Sequence, residues 1–97
     1  MSFTLLISSE AETDIDEAFL WYEFQMTGLG ERFVFFIDKG FNSISDMPES
    51  FTPALDNLRK LVLEKFPYNI YYRIDSIKSQ IEIIRVLHHK KLQIISD

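Results

Sequence analysis

The stretches Ile70-Tyr-Tyr-Arg-Ile-Asp75 and Gln80-Ile-Glu-Ile-Ile-Arg-Val-Leu-His-His89 carry the strongest structural signal in the sequence. The first places Ile70, Tyr72 and Ile74 on one face of a strand, because successive side chains alternate between the two faces. The second is apolar on both faces, which is typical of a central strand. The polar segment 76–79 between them is short, so we expect the two strands to pair in an antiparallel sheet.

Two helices are predicted upstream, after a short strand from Phe3 to Ile7. The first starts at a capping box, Ser9-Glu10-Ala11-Glu12, in which the serine hydroxyl accepts a backbone N–H and the glutamate reaches back to the cap. The second follows Gly30, and Pro48 ends it because proline cannot continue the helical hydrogen bonds. Apolar side chains recur with the helical period, at Ala11, Ile15, Ala18, Phe19, Tyr22 and Met26, and then at Phe33, Val34, Ile37, Phe41, Ile44 and Met47.

The predicted order of elements is therefore β-α-α-β-β-β. The short link at 27–30 predicts an antiparallel helical hairpin, and segment 48–56 is predicted as a loop. A strand between Leu58 and Phe66 precedes the two strands described first. Helices grouped ahead of strands are typical of an α+β fold. We expect the hairpin to pack on one side of an antiparallel sheet, which the first strand joins at an edge or the centre, in a single domain spanning 1–97.

The composition excludes several classes of protein. The chain has 97 residues, 46% of them hydrophobic, which is typical of one globular domain. It has no cysteine, so disulfide scaffolds, thiolate zinc sites and cysteine nucleophiles are excluded. The apolar run from Phe33 to Ile37 is far shorter than the roughly 20 residues of a membrane span. The N-terminus lacks the basic region of a signal peptide, so we expect a cytoplasmic protein with no membrane partner.

Charge is distributed unevenly along the chain. The net charge is −5 at pH 7, which argues against a general nucleic-acid binder. Residues 1–56 carry two basic and eleven acidic residues, whereas residues 57–97 carry eight basic and four acidic residues. Five acids lie near the start of the first helix, where they are interpreted as a complement to the helix dipole and a solvated face. If the two halves form different layers, the sheet layer has a basic face; the alternative is two solvated faces with a random bias.

The candidate functional residues are the cations of the predicted sheet and its end: Arg59, Lys60, Lys65, Arg73, Arg85, His88, His89, Lys90 and Lys91. Charges inside apolar strands need partners or a cleft. Arg73 and Arg85 therefore either pair internally, with Asp75, Glu82 or Glu64, or line a basic groove for phosphate or for an acidic partner. In the second case Arg73, Arg85 and His88 form a candidate catalytic set for a ribonuclease that needs no metal.

No cofactor or metal is expected. Gly28-Leu-Gly30 lacks the third glycine and the preceding strand of a dinucleotide-binding loop. His88 and His89 are predicted to be adjacent on a strand, where they point to opposite faces and do not share a metal easily. The apolar terminus 91–97 is interpreted as a last strand, with a surface covered by a partner as the alternative.

Several segments, taken in order, resemble the RelE/ParE toxin superfamily. They are Asp14-Ile-Asp-Glu-Ala-Phe-Leu-Trp-Tyr-Glu23, Gly28-Leu-Gly-Glu-Arg-Phe33, Ile44-Ser-Asp-Met-Pro-Glu49, Arg59-Lys60, Lys65-Phe-Pro-Tyr-Asn-Ile-Tyr-Tyr-Arg-Ile-Asp75 and Ile84-Arg-Val-Leu-His-His-Lys-Lys91. The resemblance covers about residues 3 to 91 and implies the toxin of a type II toxin–antitoxin module for plasmid stabilisation. It also implies a cognate antitoxin partner.

The resemblance implies two possible targets. RelE-like members are ribosome-dependent mRNA endonucleases, and ParE-like members inhibit DNA gyrase. In the register of Tyr68 and Tyr71, the catalytic strand arginine of the nuclease branch falls on Asn69, the upstream lysine falls near Val62, and no tyrosine follows Lys91. Arg73 and His88 remain candidates for a variant site. The segments at 28–33 and 66–68 are more similar to the ParE branch.

These observations favour a ParE-like gyrase inhibitor that acts by binding and is neutralised by its antitoxin. The nine cations above and the apolar terminus are the candidate partner-binding residues. The alternatives are a RelE-like endonuclease acting on the ribosome and a non-toxic interaction module of the same fold.

Overall fold

The computed structural model describes residues 3–90 of the chain. Its elements are β1 (Thr4–Ile7), α1 (Ser9–Gln25), α2 (Leu29–Asp46), a 3₁₀ turn (Pro48–Ser50), β2 (Thr52–Pro53), β3 (Leu58–Val62), β4 (Tyr68–Asp75) and β5 (Gln80–His88). The two helices and the long strands are confirmed. Segment 48–56, predicted as a loop, also contains the 3₁₀ turn and the two-residue strand β2. Neither described helix combines the length and apolar character of a membrane span.

The five strands form one sheet in the order β1-β5-β4-β3-β2. The pairs β2–β3, β3–β4 and β4–β5 are antiparallel, as predicted. β1 joins the sheet at an edge, one of the two places predicted, and pairs parallel to β5 with Thr4 opposite Gln80, so the predicted antiparallel sheet carries one parallel edge strand and is mixed. Parallel neighbours require a crossover connection, and the helical hairpin begins that crossover.

α1 begins one residue earlier than the predicted capping box indicates. Ser8 is the N-cap residue, and its hydroxyl accepts the N–H of Ala11 at 3.0 Å. The same hydroxyl donates to the carbonyl oxygen of Ile84 in β5 at 2.9 Å. Ser9 is exposed in the first turn and does not cap the helix. Ser8 is selected over Ser9 because only its position allows the hydroxyl to bond α1 and the sheet together.

The tight link between α1 and α2 depends on Gly28, Gly30 and Glu23. Gly28 has a φ of 93°, in the left-handed region that favours glycine. The carboxylate of Glu23 accepts the N–H of Gly28 at 2.8 Å and that of Gly30 at 2.9 Å. These bonds satisfy free N–H groups at the start of α2, and the negative charge favours that helix terminus.

Replacing Gly30 with alanine is expected to lower the free energy of unfolding by about 1–3 kcal/mol. A Cβ at this position would lie 2.7 Å from the backbone oxygen of Phe19, so the two helices would have to separate. Gly40→Ala is the matched control. Its Cβ would meet the flexible Cδ1 atom of Ile70 at 2.9 Å, and alanine is the better helix former. Chemical denaturation measures both, and equal effects would contradict the close-approach argument.

The core lies between the sheet and the helical hairpin. α2 supplies the largest share, with a continuous apolar face that includes Phe33, Ile37 and Ile44, all at most 1% exposed. An aromatic cluster forms one end of this core, where Phe33 lies 5.4 Å from both Tyr22 and Phe66 and 5.2 Å from Tyr68, between ring centroids. This cluster joins both helices to the β3–β4 turn.

Candidate functional site

A β-bulge in β5 positions Arg85, whose side chain is 28% exposed. Tyr71 lies opposite Arg85 and Tyr72 lies opposite Ile83, so Ile84 is an extra residue in β5. Ile83 and Val86 both reach the core, although regular alternation would put them on opposite faces. The bulge thus changes the register of the strand just before Arg85.

Arg85 is held by Asp14 of α1. Its Nε donates to Oδ2 of Asp14 at 2.7 Å and its Nη2 donates to Oδ1 at 2.9 Å, and the N–H of Val86 adds a third bond to Oδ2 at 2.9 Å. The hydrogen bond that Arg85 donates to Asp14 raises the pKa of the guanidinium against the opposing effect of burial. The internal-pairing alternative therefore holds for Arg85, but its partner is a residue of the acidic half and none of the three predicted. The interpretation of the α1 acids as a solvated face is wrong for Asp14.

Arg73 and Arg59 are also bonded internally. Arg73 pairs across the strands with Glu82 at 2.9 Å, one of its predicted partners, in a pair that is about half exposed. Arg59 donates to the backbone oxygens of Phe51 at 2.8 Å and Glu49 at 3.3 Å, and so ties the 3₁₀ turn and β2 to β3. The three sheet arginines thus stabilise the fold in the described structure.

The remaining predicted cations are spread over the molecule. Lys60 is half-buried on β3, and Lys65 is exposed in the following turn with a φ of 72°. β3 ends at Val62, not near Phe66, because the N–H of Leu63 donates to the Tyr68 carbonyl and closes this turn. Lys90 lies just after β5, and Lys91 and the proposed last strand 91–97 lie outside the described residues. The eight predicted cations that lie within residues 3–90 do not form one compact cluster.

The two histidines are not on opposite faces of a strand. β5 ends at His88, and His89 lies in a short 3₁₀ turn where its N–H donates to the Pro67 carbonyl at 2.9 Å. The ring centroids are only 6.3 Å apart. Nδ1 of His88 accepts the N–H of Lys90 at 3.1 Å. Within residues 3–90, no three His, Cys, Asp or Glu side chains are grouped as metal ligands.

The two positions that the family resemblance assigns to nuclease cations carry neutral residues. Asn69 is 4% exposed, and its Nδ2 donates to the Tyr71 hydroxyl at 3.2 Å. Val62 is an exposed apolar residue at the end of β3. Neither side chain can neutralise a phosphate or transfer a proton.

Tyr72 is buried next to this region, and its ionisation is linked to folding. Its hydroxyl donates to the Pro48 carbonyl at 2.6 Å. Burial raises the pKa of Tyr72 to about 12, although the Arg59 guanidinium opposes the shift. The folded state therefore holds this proton more tightly than the unfolded chain, whose tyrosine pKa is about 10. The stabilisation is complete below about pH 10 and is lost as the pH rises toward 12.

We expect Tyr72→Phe to lower the free energy of unfolding by about 1–2 kcal/mol at neutral pH, because the Pro48 carbonyl loses its donor. The variant should also lose less stability than the parent between about pH 10 and pH 12. Tyr22→Phe is the control for the lost hydrogen bond. Burial raises the pKa of Tyr22 too, but the Tyr22 hydroxyl makes no hydrogen bond to another described residue. Urea denaturation across that pH range measures both effects, and identical pH profiles for parent and Tyr72→Phe would contradict the linkage.

Two surface concavities were not predicted from the sequence. One, of about 270 Å³, lies between α2 and β3 and is lined by Phe36, Lys39, Gly40, Ser43, Phe51, Leu61, Val62, Leu63 and Glu64. The other, of about 220 Å³, lies between α1 and the ends of β4 and β5. The sequence signal that could have indicated the second concavity is a further apolar stripe on α1, formed by Leu20, Trp21 and Phe24, all of which are exposed.

Comparison with known proteins identifies the family. Residues 5–93 match the family described as the ParE toxin of type II toxin-antitoxin system, parDE. The chain belongs to this ParE toxin family. No curated protein sequence matches the chain.

Solved structures share the fold of this ParE-family chain. The chromosomal ParDE system from P. aeruginosa aligns with a TM-score of 0.78 at 19% identity, over 90% of this chain and 96% of that one. The free E. coli toxin RelE, as a mutant, aligns at 0.69 and 15% identity, over 99% and 93%. The toxin–antitoxin complex RelBE2 from Mycobacterium tuberculosis aligns at 0.62 and 20% identity, over 91% and 99%. At these identities the likeness concerns the fold alone, and it confirms the predicted α+β architecture with two helices on one sheet.

Proposed function

We propose that this ParE-family toxin inhibits DNA gyrase by binding it, without cleaving nucleic acid, and that a cognate antitoxin neutralises it. The observation that carries the proposal is that the three sheet arginines are already bonded within the fold. Arg85 pairs with Asp14, Arg73 pairs with Glu82, and Arg59 donates to backbone carbonyls. A metal-independent nuclease needs unoccupied cations and a proton-transfer group around one phosphate, and these arginines do not form such a group.

The concavity between α2 and β3, defined here as the α2–β3 groove, is the proposed antitoxin site. Within residues 3–90, β2 pairs with β3 only at Arg59 and Lys60, so the outer edge of Leu61 and Val62 is without a strand partner. An unpaired edge beside a groove lined by both apolar and polar side chains suits a segment that adds one strand and inserts side chains. Lys60 and Lys65 lie along the same strand and its turn, where they favour an acidic segment.

Replacing Val62 with glutamate is expected to weaken antitoxin binding by about tenfold, because it puts a charge into the groove beside Glu64. Ile77→Glu is the matched control: Ile77 is 97% exposed in the β4–β5 turn and does not line the groove. Isothermal titration with the product of the adjacent reading frame measures both affinities. Equal losses for the two variants would place the antitoxin elsewhere.

Expression without the antitoxin tests the function in cells. We expect growth to stop with induction of the SOS response, while protein synthesis continues at first. Prompt translation arrest with cut mRNA would overturn the gyrase proposal. In that case, ribosome-dependent cleavage by the parent, Arg73→Ala and His88→Ala proteins would show whether those residues act in it. The absence of any growth defect would indicate a non-toxic interaction module.

A further inference from the structure

The second concavity, defined here as the Trp21 pocket, combines aromatic rings with carboxylates. Its volume is about 220 Å³, smaller than the sites of drug-sized ligands and suited to one long side chain. α1 contributes Asp14, Glu17, Ala18 and Trp21, while Tyr68, Val86, Leu87 and His88 come from β4 and β5. The pocket is thus built across the two layers of the fold. It shares no lining residue with the α2–β3 groove.

The rings in the Trp21 pocket are held in place by their neighbours. Trp21 is 60% exposed and packs edge-on against Tyr22, with ring centroids 5.2 Å apart. Tyr68 packs edge-on against His88, with centroids 5.3 Å apart, and against Phe33 of the core at 5.2 Å. An exposed indole face carries negative electrostatic potential, and it attracts cations placed above it.

The two carboxylates of the pocket differ in what they already bind. Asp14 is fully engaged by Arg85 and the N–H of Val86. Glu17 is exposed, and it makes no hydrogen bond or ion pair with another described residue. Glu17 and Trp21 are four residues apart on α1, so they lie on the same side of the helix. A cation over Trp21 therefore comes within reach of the Glu17 carboxylate, which makes no direct ion pair with a described residue although its charge helps to raise the pKa of Arg85.

We propose that the Trp21 pocket binds an arginine side chain of a protein partner, with the guanidinium stacked on Trp21 and paired with Glu17. A planar guanidinium can do both at once, since it stacks on aromatic faces and binds carboxylates through two N–H groups. A nucleotide fits poorly, because its phosphate would face Glu17 and Asp14. This inference goes beyond the proposed function and does not depend on whether the target is gyrase.

Titration of the full chain with N-acetylarginine amide tests the pocket. Trp21 is the sole tryptophan of the sequence, so its indole N–H gives one assigned signal in a ¹H–¹⁵N spectrum. We expect a saturable shift of that signal. Glu17→Gln should weaken binding by about threefold to fivefold, as for an exposed ion pair, while Glu12→Gln, an exposed α1 residue outside the pocket, should leave it unchanged.

Two further ligands make the result decisive. N-acetylcitrulline amide has nearly the same shape without the charge, and we expect it to shift the indole signal little. Trp21→Ala should abolish binding of the arginine probe, read from the amide signals of Leu87 and His88, which also report that the fold is intact. The proposal is overturned if citrulline and arginine shift the signal equally, if no shift saturates, or if adenosine monophosphate binds more tightly than the arginine probe.

Discussion

Asp14→Ala is expected to lower the free energy of unfolding by about 3–5 kcal/mol, the range for removing one partner of a buried ion pair. The side chain of Asp14 is 10% exposed and that of Arg85 is 28% exposed, so the guanidinium left behind is only partly hydrated. The variant also leaves the N–H of Val86 without its acceptor, at the bulge where β5 changes register. For a domain with about 5–15 kcal/mol of total stability, this is a large fraction.

Asp16→Ala is the matched control for Asp14→Ala, because Asp16 is an exposed acid on the same helix, and its effect should stay within about 0.5 kcal/mol. The double variant Asp14→Ala/Arg85→Ala should lose less stability than the sum of its single variants, since residues in contact are not additive. Urea denaturation gives all four values. An Asp14→Ala protein as stable as the Asp16→Ala protein would refute a structural role for the pair.

Phe33→Ala should cost about 3–5 kcal/mol, through lost burial and the cavity left behind. Phe33 is fully buried and touches aromatic rings from α1, from the β3–β4 turn and from β4. Removing its ring therefore loosens the contact between both helices and the sheet at the same point. Phe33→Leu keeps most of the volume and should cost less, which preserves a measurable value if the alanine variant does not fold.

Phe24→Ala provides the matched comparison for Phe33→Ala. Phe24 is also a phenylalanine of the helical hairpin, but its side chain is 90% exposed. We expect its substitution to change the free energy of unfolding by less than about 0.5 kcal/mol. Thermal or chemical denaturation distinguishes the two, and comparable losses would contradict the placement of the core.

Periodicity alone predicts most of the fold. The alternation at Ile70, Tyr72 and Ile74 and the apolar face of α2 identify β4 and the packing helix, because burial on one side imposes these periods. The parallel pairing of β1 with β5 is not encoded locally. It depends on which strand is next to Phe3–Ile7 after the helical crossover. The choice of Ser8 over Ser9 as cap is also tertiary, since it depends on the carbonyl of Ile84.

The candidate site is less predictable than the fold for a related reason. The run of apolar residues around Ile84 hides the bulge, so the sequence pattern does not show that Arg85 reaches α1. Asp14 is one of several acids near the start of α1, and the others are solvated. A sequence pattern cannot show which of these acids bonds Arg85, which lies 71 positions further along the chain. The Trp21 pocket is likewise formed by residues that are distant in sequence and close only after folding.

A gyrase supercoiling assay with purified components tests the central claim most directly. We expect the protein to inhibit supercoiling at amounts comparable to the amount of gyrase, because it acts by binding, and the antitoxin to reverse the inhibition. Programmed ribosomes incubated with the same preparation should keep their mRNA intact. Unaffected supercoiling together with mRNA cleavage at amounts of protein far below those of ribosomes would contradict the account.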